Sequence, residues 1–307
     1  MDYHFFGKTL GMLRRQQGIS QRKLCEGIMT KDNLSKLERG ISGVSKEKLD
    51  KLLNRLGFVA KRFFPYPLAK SDLKVFKIKH EVKNLSALND HEGVAVQIEK
   101  MESMEEFKEP LNNQFLLKFK AIHCMDISDE ITIAKALLEQ ALRITMPLYN
   151  SALVHTYLLS DDEMQIICIL AQIEFSDGNK DEAVELLRKL EISINQHYVD
   201  EYEKTRSLAF IRYSLSKYLG LMERYKEAIA VCEKAVEECV QNQAYGHLPM
   251  ILFNQAYCIH HISNERKNEI KDLLFQSYYC SKAHGVAHYT EQIKRHALNM
   301  FGVDVGI

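Results

Sequence analysis

Side chains that hydrogen-bond to charged partners are concentrated near the N-terminus, in the stretch SQRKLCEGIMTKDNLSKLERG (residues 20–40). The residues with suitable chemistry are Gln21, Arg22, Lys31, Asp32, Asn33, Lys36 and Arg39. Arginine, lysine and glutamine donate to phosphate oxygens, which fixes a protein on a nucleic-acid backbone. Lysine also donates to guanine O6 or N7, aspartate accepts from cytosine N4, and asparagine suits adenine. These residue types therefore suit a polyanionic partner such as a nucleic acid.

Two helix-start signals would place these side chains on two short helices. Ser20 and Thr30 are residue types that cap helix N-termini, and residues 27–29 supply a turn between them. We predict one helix from Ser20 through about Glu26 and another over Lys31–Arg39, ended by Gly40. Two helices joined by a tight turn match the helix-turn-helix, whose second helix lies in the major groove.

Three further helices complete a predicted N-terminal domain, which we call the head (residues 1–66). They run over about Phe5–Gln17, from the cap Ser45 to about Leu56, and near Val59–Phe64. Glycines at 18 and 57 would end the first two. The predicted core of the head consists of Leu10, Leu13, Leu24, Ile28, Leu34, Leu37, Leu49, Leu52, Leu53 and Leu56.

Charge divides the 307-residue chain where the head ends. Residues 1–66 hold 14 lysines and arginines against 6 acidic residues, a net charge of +8, and the remaining residues carry −8. A basic domain favours a polyanionic partner. Pro65 and Pro67 prevent helix continuation, so we predict a linker at 67–73 and a second domain at 74–307.

The second domain contains a drifting helical repeat. ILAQIEFSDGNKDEAVELLRKL (residues 169–190) and SLSKYLGLMERYKEAIAVCEKAV (residues 214–236) align at an offset of about 45 residues. A third copy begins at Leu252, and weaker copies are expected around 115–144 and 85–104. A single helical hairpin cannot bury its own apolar face, so the hairpins should stack into a superhelix with a concave side. The predicted fold is all-α, with a tetratricopeptide-like, right-handed repeat body.

Several other classes of protein are disfavoured by the sequence. The chain has no apolar run long enough to span a membrane and no signal-peptide pattern, so we expect a cytoplasmic protein. Seven scattered cysteines without a C-x-x-C pair argue against disulfides or a zinc ribbon. Cys280, His284 and His288 have helical spacing, but Gly285 should end that helix, and we predict no metal site. Without a phosphate loop or hydrolase motif, we expect no enzyme and no cofactor.

The segment GISQRKLCEGIMTKDNLSKLERG (residues 18–40) resembles the helix-turn-helix of the lambda-repressor/Xre class. The resemblance implies that Gln21 donates to a phosphate at the start of the second helix, and that Arg39 also meets phosphate. Lys31, Asp32, Asn33 and Lys36 would read bases. Glu38 would pair with another helix of the head, through Arg14 or Arg15.

A head of this type before a helical-repeat body resembles the Rap/Rgg/NprR/PlcR/PrgX superfamily of receptors for short secreted peptides. The resemblance implies a homodimeric transcription regulator in quorum sensing, whose inner repeat helices bind the backbone of a peptide pheromone. The matching positions in this chain are Gln172, Tyr213, Ser214, Lys217, Asn254 and Tyr257. Ser214 stands where the family usually has an amide.

Two rival interpretations remain open at this stage. One is a phage-type repressor whose body serves only for dimerisation. The other is an adaptor like the Rap branch, whose repeat body titrates a partner protein; members of that branch lack the basic head.

Overall fold

The computed structural model describes residues 3–58, 70–127, 130–263, 265–285 and 287–306. Regular structure in these ranges is helical, without a strand. The chain divides into two compact units. The first contains residues 1–86, 90–170 and 195–200, and the second contains 87–89, 171–194 and 201–307. None of the described helices combines the length and the apolar character that a membrane span requires.

Four helices form the described part of the head: α1 (Tyr3–Gln16), α2 (Gln21–Cys25), α3 (Lys31–Glu38) and α4 (Lys46–Arg55). The predicted N-caps are confirmed, because the hydroxyls of Ser20, Thr30 and Ser45 each accept from the backbone N–H three residues later. The predicted helix near Val59–Phe64, and both prolines of the predicted boundary, lie outside the described residues.

The predicted core of the head is confirmed. Nine of its ten residues are buried in one cluster, and Leu13 packs against that cluster while partly buried. Two leucines from outside the head, Leu111 and Leu158, belong to the same cluster. The hydrophobic core of the head therefore continues into the segment that follows it.

The rest of the first unit is built from α5 (Lys70–Ala87), α6 (His91–Glu102), α7 (Pro110–Ile127), α8 (Ile131–Thr145) and the start of α9 (Asp161–Ser176). Helix α5 begins inside the predicted linker at 67–73. A second core joins α5 to α7 around Phe107, Phe115 and Phe119. The weak repeat copy predicted at 115–144 falls on α7 and α8, which pack against each other.

The clear repeats lie mainly in the second unit. They are formed by the end of α9 with α10 (Lys180–His197), then α11 (Glu201–Leu221), α12 (Tyr225–Gln241), α13 (Leu248–Ile262), α14 (Lys267–His284) and α15 (Ala287–Phe301). From α11 onward each helix packs against the next. Alanines permit close approach of the paired helices, since Ala171, Ala183, Ala228 and Ala256 are fully buried. The predicted helix–turn–helix repeat is confirmed.

Candidate functional site

Three helices of the head are joined by one buried carboxylate, that of Glu38. Arg14 on α1 donates from Nε to Glu38 Oε1 at 2.6 Å and from its terminal nitrogen to Glu38 Oε2 at 2.8 Å. It also donates to the carbonyl of Ile19, just before α2, at 2.7 Å. Gln21 on α2 donates to Glu38 Oε2 at 2.9 Å. Glu38, at the end of α3, therefore connects α1, α2 and α3, and the predicted pairing with Arg14 is confirmed.

The charge of Glu38 is stabilised by these donors. Burial alone would favour the neutral acid, but hydrogen bonds from Arg14 and Gln21 outweigh it and lower the pKa of Glu38. A bidentate arginine–carboxylate pair also fixes the relative orientation of the two side chains. The angle between α2 and α3 is thus determined by charge-assisted bonds in addition to the leucine core.

The outer surface of α3 presents the predicted base-reading residues to solvent. Lys31, Asp32, Asn33 and Lys36 are all exposed, whereas Leu34 and Leu37 are buried on the opposite face. Short polar and long cationic side chains are therefore displayed together on one helix of the size that fits the major groove.

Three side chains flank this surface as candidates for phosphate contact. Arg22 is exposed on α2, and Arg39 is exposed just after α3, where its Nε donates to the Ser35 carbonyl at 3.3 Å. Gln21 is half-buried, and its bond to Glu38 leaves one amide hydrogen for a phosphate. Lys23 is also exposed on α2, and the sequence interpretation missed it. Its position beside Arg22 could have revealed it.

A second candidate surface lies in the second unit, where α11 and α13 are bonded through polar groups. Asn254 Nδ2 donates to the carbonyl of Tyr213 at 3.1 Å and to Ser216 Oγ at 2.9 Å. The structure therefore brings two of the predicted peptide-binding residues, Tyr213 and Asn254, together. Because the amide nitrogen of Asn254 is engaged in the protein, its carbonyl oxygen is the atom best placed to accept from a peptide N–H.

Aromatic rings extend this surface. His247 lies 5.2 Å from Phe210 and 6.5 Å from Tyr213, measured between ring centroids, and is nearly parallel to the tyrosine ring. Burial, with a smaller contribution from Arg206 and His284, lowers the pKa of His247 to about 4. Burial together with Tyr289 raises the pKa of Tyr213 to about 12. Both rings are therefore neutral near physiological pH.

The neutrality of His247 predicts a pH-dependent stability. Its pKa is about 4 in the folded protein against 6.5 for an unperturbed histidine, so the unfolded chain alone takes up this proton between those values. The free energy of unfolding therefore loses nothing to this histidine well above pH 6.5, and it falls as the pH drops through 6.5 toward 4. Replacing His247 by phenylalanine, which keeps the contact with Phe210, should reduce the loss between pH 6.5 and 5 by on the order of 1 kcal/mol. Urea unfolding at both pH values measures it; equal losses in the two proteins would contradict the prediction.

The other predicted peptide-binding residues are not joined to this pair. Gln172 and Lys217 are exposed. Ser214 is half-buried and its hydroxyl donates to the Phe210 carbonyl at 3.4 Å. Tyr257 lies on α13 in a separate aromatic group, 4.5 Å from His261 and 6.5 Å from Tyr225 by ring centroids. The sequence interpretation missed His247, which precedes α13 and bears no repeat signature.

Among the described residues, His, Cys, Asp and Glu side chains form no group of three that could hold a metal ion. The seven cysteines, all of them within the described residues, form no disulfide with one another. Helix α14 ends at His284, since Gly285 takes φ +75°, as predicted from the sequence.

Known proteins are similar to this chain in two respects: a family model matches the head, and solved structures match the fold of nearly the whole chain. Residues 10–63 match the family model for helix-turn-helix domains. No curated protein matches the sequence. Among solved structures, PlcR from Bacillus thuringiensis in complex with the peptide PapR7 and DNA is similar over 94% of this chain and 98% of its own, with 18% identity and a TM-score of 0.62.

Two further solved structures have similar coverage. Apo PlcR from Bacillus thuringiensis aligns over 93% of this chain and 98% of its own, at 17% identity and a TM-score of 0.57. The SHP pheromone receptor Rgg2 from Streptococcus dysgalactiae aligns over 94% and 99%, at 14% identity and a TM-score of 0.45. At this identity the likeness to PlcR shows the fold. The chain contains an Xre-type helix-turn-helix domain near its N-terminus, followed by a helical-repeat body with the fold of PlcR.

Proposed function

We propose that this protein is a sequence-specific transcription regulator whose operator binding is controlled by a short signalling peptide, as in quorum sensing. The peptide would bind the concave face of the repeat body, on the surface formed by Phe210, Tyr213, His247 and Asn254. The regulator would act in the cytoplasm as a homodimer.

One observation carries the DNA-binding half of the proposal. The outer face of α3 displays Lys31, Asp32, Asn33 and Lys36 to solvent, while buried bonds through Glu38 hold α3 against α1 and α2. A base-reading surface needs donors and acceptors held in fixed orientations, because each good contact contributes about 1–3 kcal/mol of discrimination only at correct geometry. The fixed helix and the mixed side chains favour sequence-specific recognition over purely electrostatic binding.

The peptide half is supported by the chemistry of the second surface. An extended peptide needs acceptors for its N–H groups and donors for its carbonyls, together with apolar contacts for its side chains. Asn254 Oδ1 supplies an acceptor, and the rings of Tyr213, His247 and Phe210 supply apolar area. The solved PlcR complex, which has the same fold, contains both a peptide and DNA. That combination of ligands supports the same pairing here.

Each part of the proposed function is assigned to one of the segments predicted from the sequence. Residues 1–66 would bind DNA, 67–73 would connect, and 74–307 would bind peptide and dimerise. Two heads in a dimer must reach half-sites about 34 Å apart, or a multiple of that distance. A peptide that changes the stacking of the repeats would change the spacing of the heads and hence operator affinity.

The experiment begins with a duplex enriched by the wild-type protein from a randomised pool. Fluorescence anisotropy then measures affinity for this duplex with and without short synthetic peptides encoded near the gene. We expect one peptide to change the affinity by at least about tenfold in the wild-type protein. Replacing Asn254 by leucine should abolish the response to that peptide and leave the peptide-free affinity unchanged.

Lys226→Ala gives a control in the same unit, because Lys226 is exposed on α12 and is not among the predicted peptide-binding residues. Intact DNA binding without a response to any candidate peptide would refute peptide control and favour the repressor whose body only dimerises. Failure to enrich any duplex would refute the DNA half as well.

A further inference from the structure

One arginine connects the turn of the helix-turn-helix to the segment that follows the head. Arg55, at the end of α4, donates from one terminal nitrogen to the carbonyls of Leu24 at 3.1 Å and Glu26 at 2.5 Å. Its other terminal nitrogen donates to Glu163 Oε1 at 3.0 Å and to the Thr145 carbonyl at 3.3 Å. Leu24 and Glu26 stand at the end of α2, where helix carbonyls lack partners within the helix. Arg55 therefore satisfies the carbonyls that begin the turn.

The carboxylate that faces Arg55 is completely buried. Glu163 is 0% exposed, and its second oxygen accepts from the backbone N–H of Ser160 at 2.6 Å. Burial opposes its ionisation, but the charges of Arg55 and Lys51 outweigh that and lower the pKa of Glu163 to about 2. The carboxylate is thus charged at any physiological pH. Removing it would leave the guanidinium of Arg55, itself 3% exposed, without a counter-ion.

The backbone of the turn touches the same region. A Cβ atom on Gly27 would lie 2.2 Å from the carbonyl oxygen of Thr145, so only glycine permits this approach. Gly27 also has φ +67°, a conformation that other residues adopt at a cost. The turn between α2 and α3 is therefore linked to the segment after the head at two points: through Arg55, which bonds Glu163 and Thr145, and through Gly27, which lies against Thr145.

These contacts leave the DNA-facing surface untouched. The polar residues on the outside of α3 are exposed, whereas Arg55 and Glu163 are buried. Because neither buried side chain can reach a duplex, an effect of this pair on DNA binding would act through the turn that Arg55 supports.

We propose that Glu163 is a positioning residue for DNA recognition: through Arg55 it fixes the α2–α3 turn and thereby the orientation of α3 on the operator. This positioning role differs from merely attaching the head to the segment that follows it. The inference rests on the DNA-binding half of the proposed function. It assigns part of the DNA-binding apparatus to α9, far along the sequence from the head.

A neighbouring residue provides the matched control. Asp162 is also a carboxylate at the start of α9, and it pairs with the head residue Lys51 at 3.6 Å. It also accepts from Lys118 at 2.7 Å. Lys51 donates to Gln114 and not to the turn. Asp162→Asn therefore removes a charge from the contact between the head and α9 without removing a bond to the α2–α3 turn.

The test compares Glu163→Gln, Arg55→Lys and Asp162→Asn in the full chain. Affinity for the enriched duplex is measured by anisotropy, and amide hydrogen exchange is measured across residues 24–30. We expect Glu163→Gln and Arg55→Lys to weaken binding by about tenfold and to accelerate exchange in the turn. A lysine retains the charge but has no fork to reach the carbonyls and Glu163 together. Asp162→Asn should change the affinity by less than about twofold and leave exchange in the turn unaltered.

Equal losses in Glu163→Gln and Asp162→Asn would overturn the proposal, because they would indicate attachment alone. Wild-type affinity in Glu163→Gln would also overturn it. If Glu163→Gln loses its helical circular dichroism, Glu163→Asp is compared instead, since it keeps the charge but draws the carboxylate back from Arg55. If the wild-type protein enriches no duplex, the proposed function fails, and the exchange measurement still decides whether Glu163 orders the turn.

Discussion

Replacing Lys36 by alanine is expected to weaken binding to the enriched operator duplex by about tenfold while leaving binding to a scrambled duplex nearly unchanged. Lys36 lies in the last turn of α3, exposed, on the face opposite the buried Leu34 and Leu37. From that position its ammonium group can donate to a base edge such as guanine O6 or N7. Loss of a base contact reduces discrimination, whereas the phosphate contacts that hold the protein on any duplex remain.

Arg39→Ala provides the contrast, since this arginine lies just beyond α3 and is assigned to phosphate. It should weaken binding to both duplexes by the same factor and reduce the slope of log affinity against log salt by about 1. Anisotropy titrations of both variants at several salt concentrations separate the two roles. Wild-type binding by both variants would show that α3 does not lie in the groove.

The second large effect concerns the stability of the repeat body. Arg212 is 1% exposed on α11 and donates to Glu191 at 2.8 Å and to Glu238 at 2.6 Å. Arg212→Met should lower the free energy of unfolding by about 2–4 kcal/mol, because the two carboxylates then lose their buried cation, while Lys234 stays nearby at 3.9 Å from Glu191. The side chains of Glu191 and Glu238 keep 20% and 27% exposure, so the loss stays below that of a fully buried pair. Urea unfolding followed by circular dichroism measures it.

An exposed arginine serves as the control for this change. Arg188 pairs with Glu227 at 3.0 Å, and both side chains are more than 40% exposed. Arg188→Met should cost less than about 1 kcal/mol, since solvent screens such a pair. Similar losses of unfolding free energy in the two variants would contradict the prediction that the buried ion pairs of Arg212 stabilise the repeat body more than an exposed pair does.

Much of the head could be predicted because its signals are local. Ser20, Thr30 and Ser45 each cap a helix through a bond to the residue three positions on, which a short window of sequence already reveals. The leucine pattern likewise identifies the core, since helical periodicity determines which face is buried. The exposure of Lys31 and Lys36 follows from the same periodicity.

The contacts that orient the head are long-range, and no local pattern reports them. Arg55 and Glu163 are 108 residues apart in sequence, and each looks like an ordinary surface charge on a helix. Gly27 could be predicted as a turn residue, but its contact with Thr145 could not. His247 was missed for a similar reason, because its partners Phe210 and Tyr213 lie on a different helix.

Sequence-specific recognition is tested most directly by selecting a randomised duplex pool with the wild-type protein and sequencing the bound DNA. We predict one enriched motif with two-fold symmetry, whose half-sites are separated by a whole number of helical turns of about 10 base pairs. An enriched pool without a common sequence, or a single unsymmetric half-site, would contradict sequence-specific recognition by a dimer.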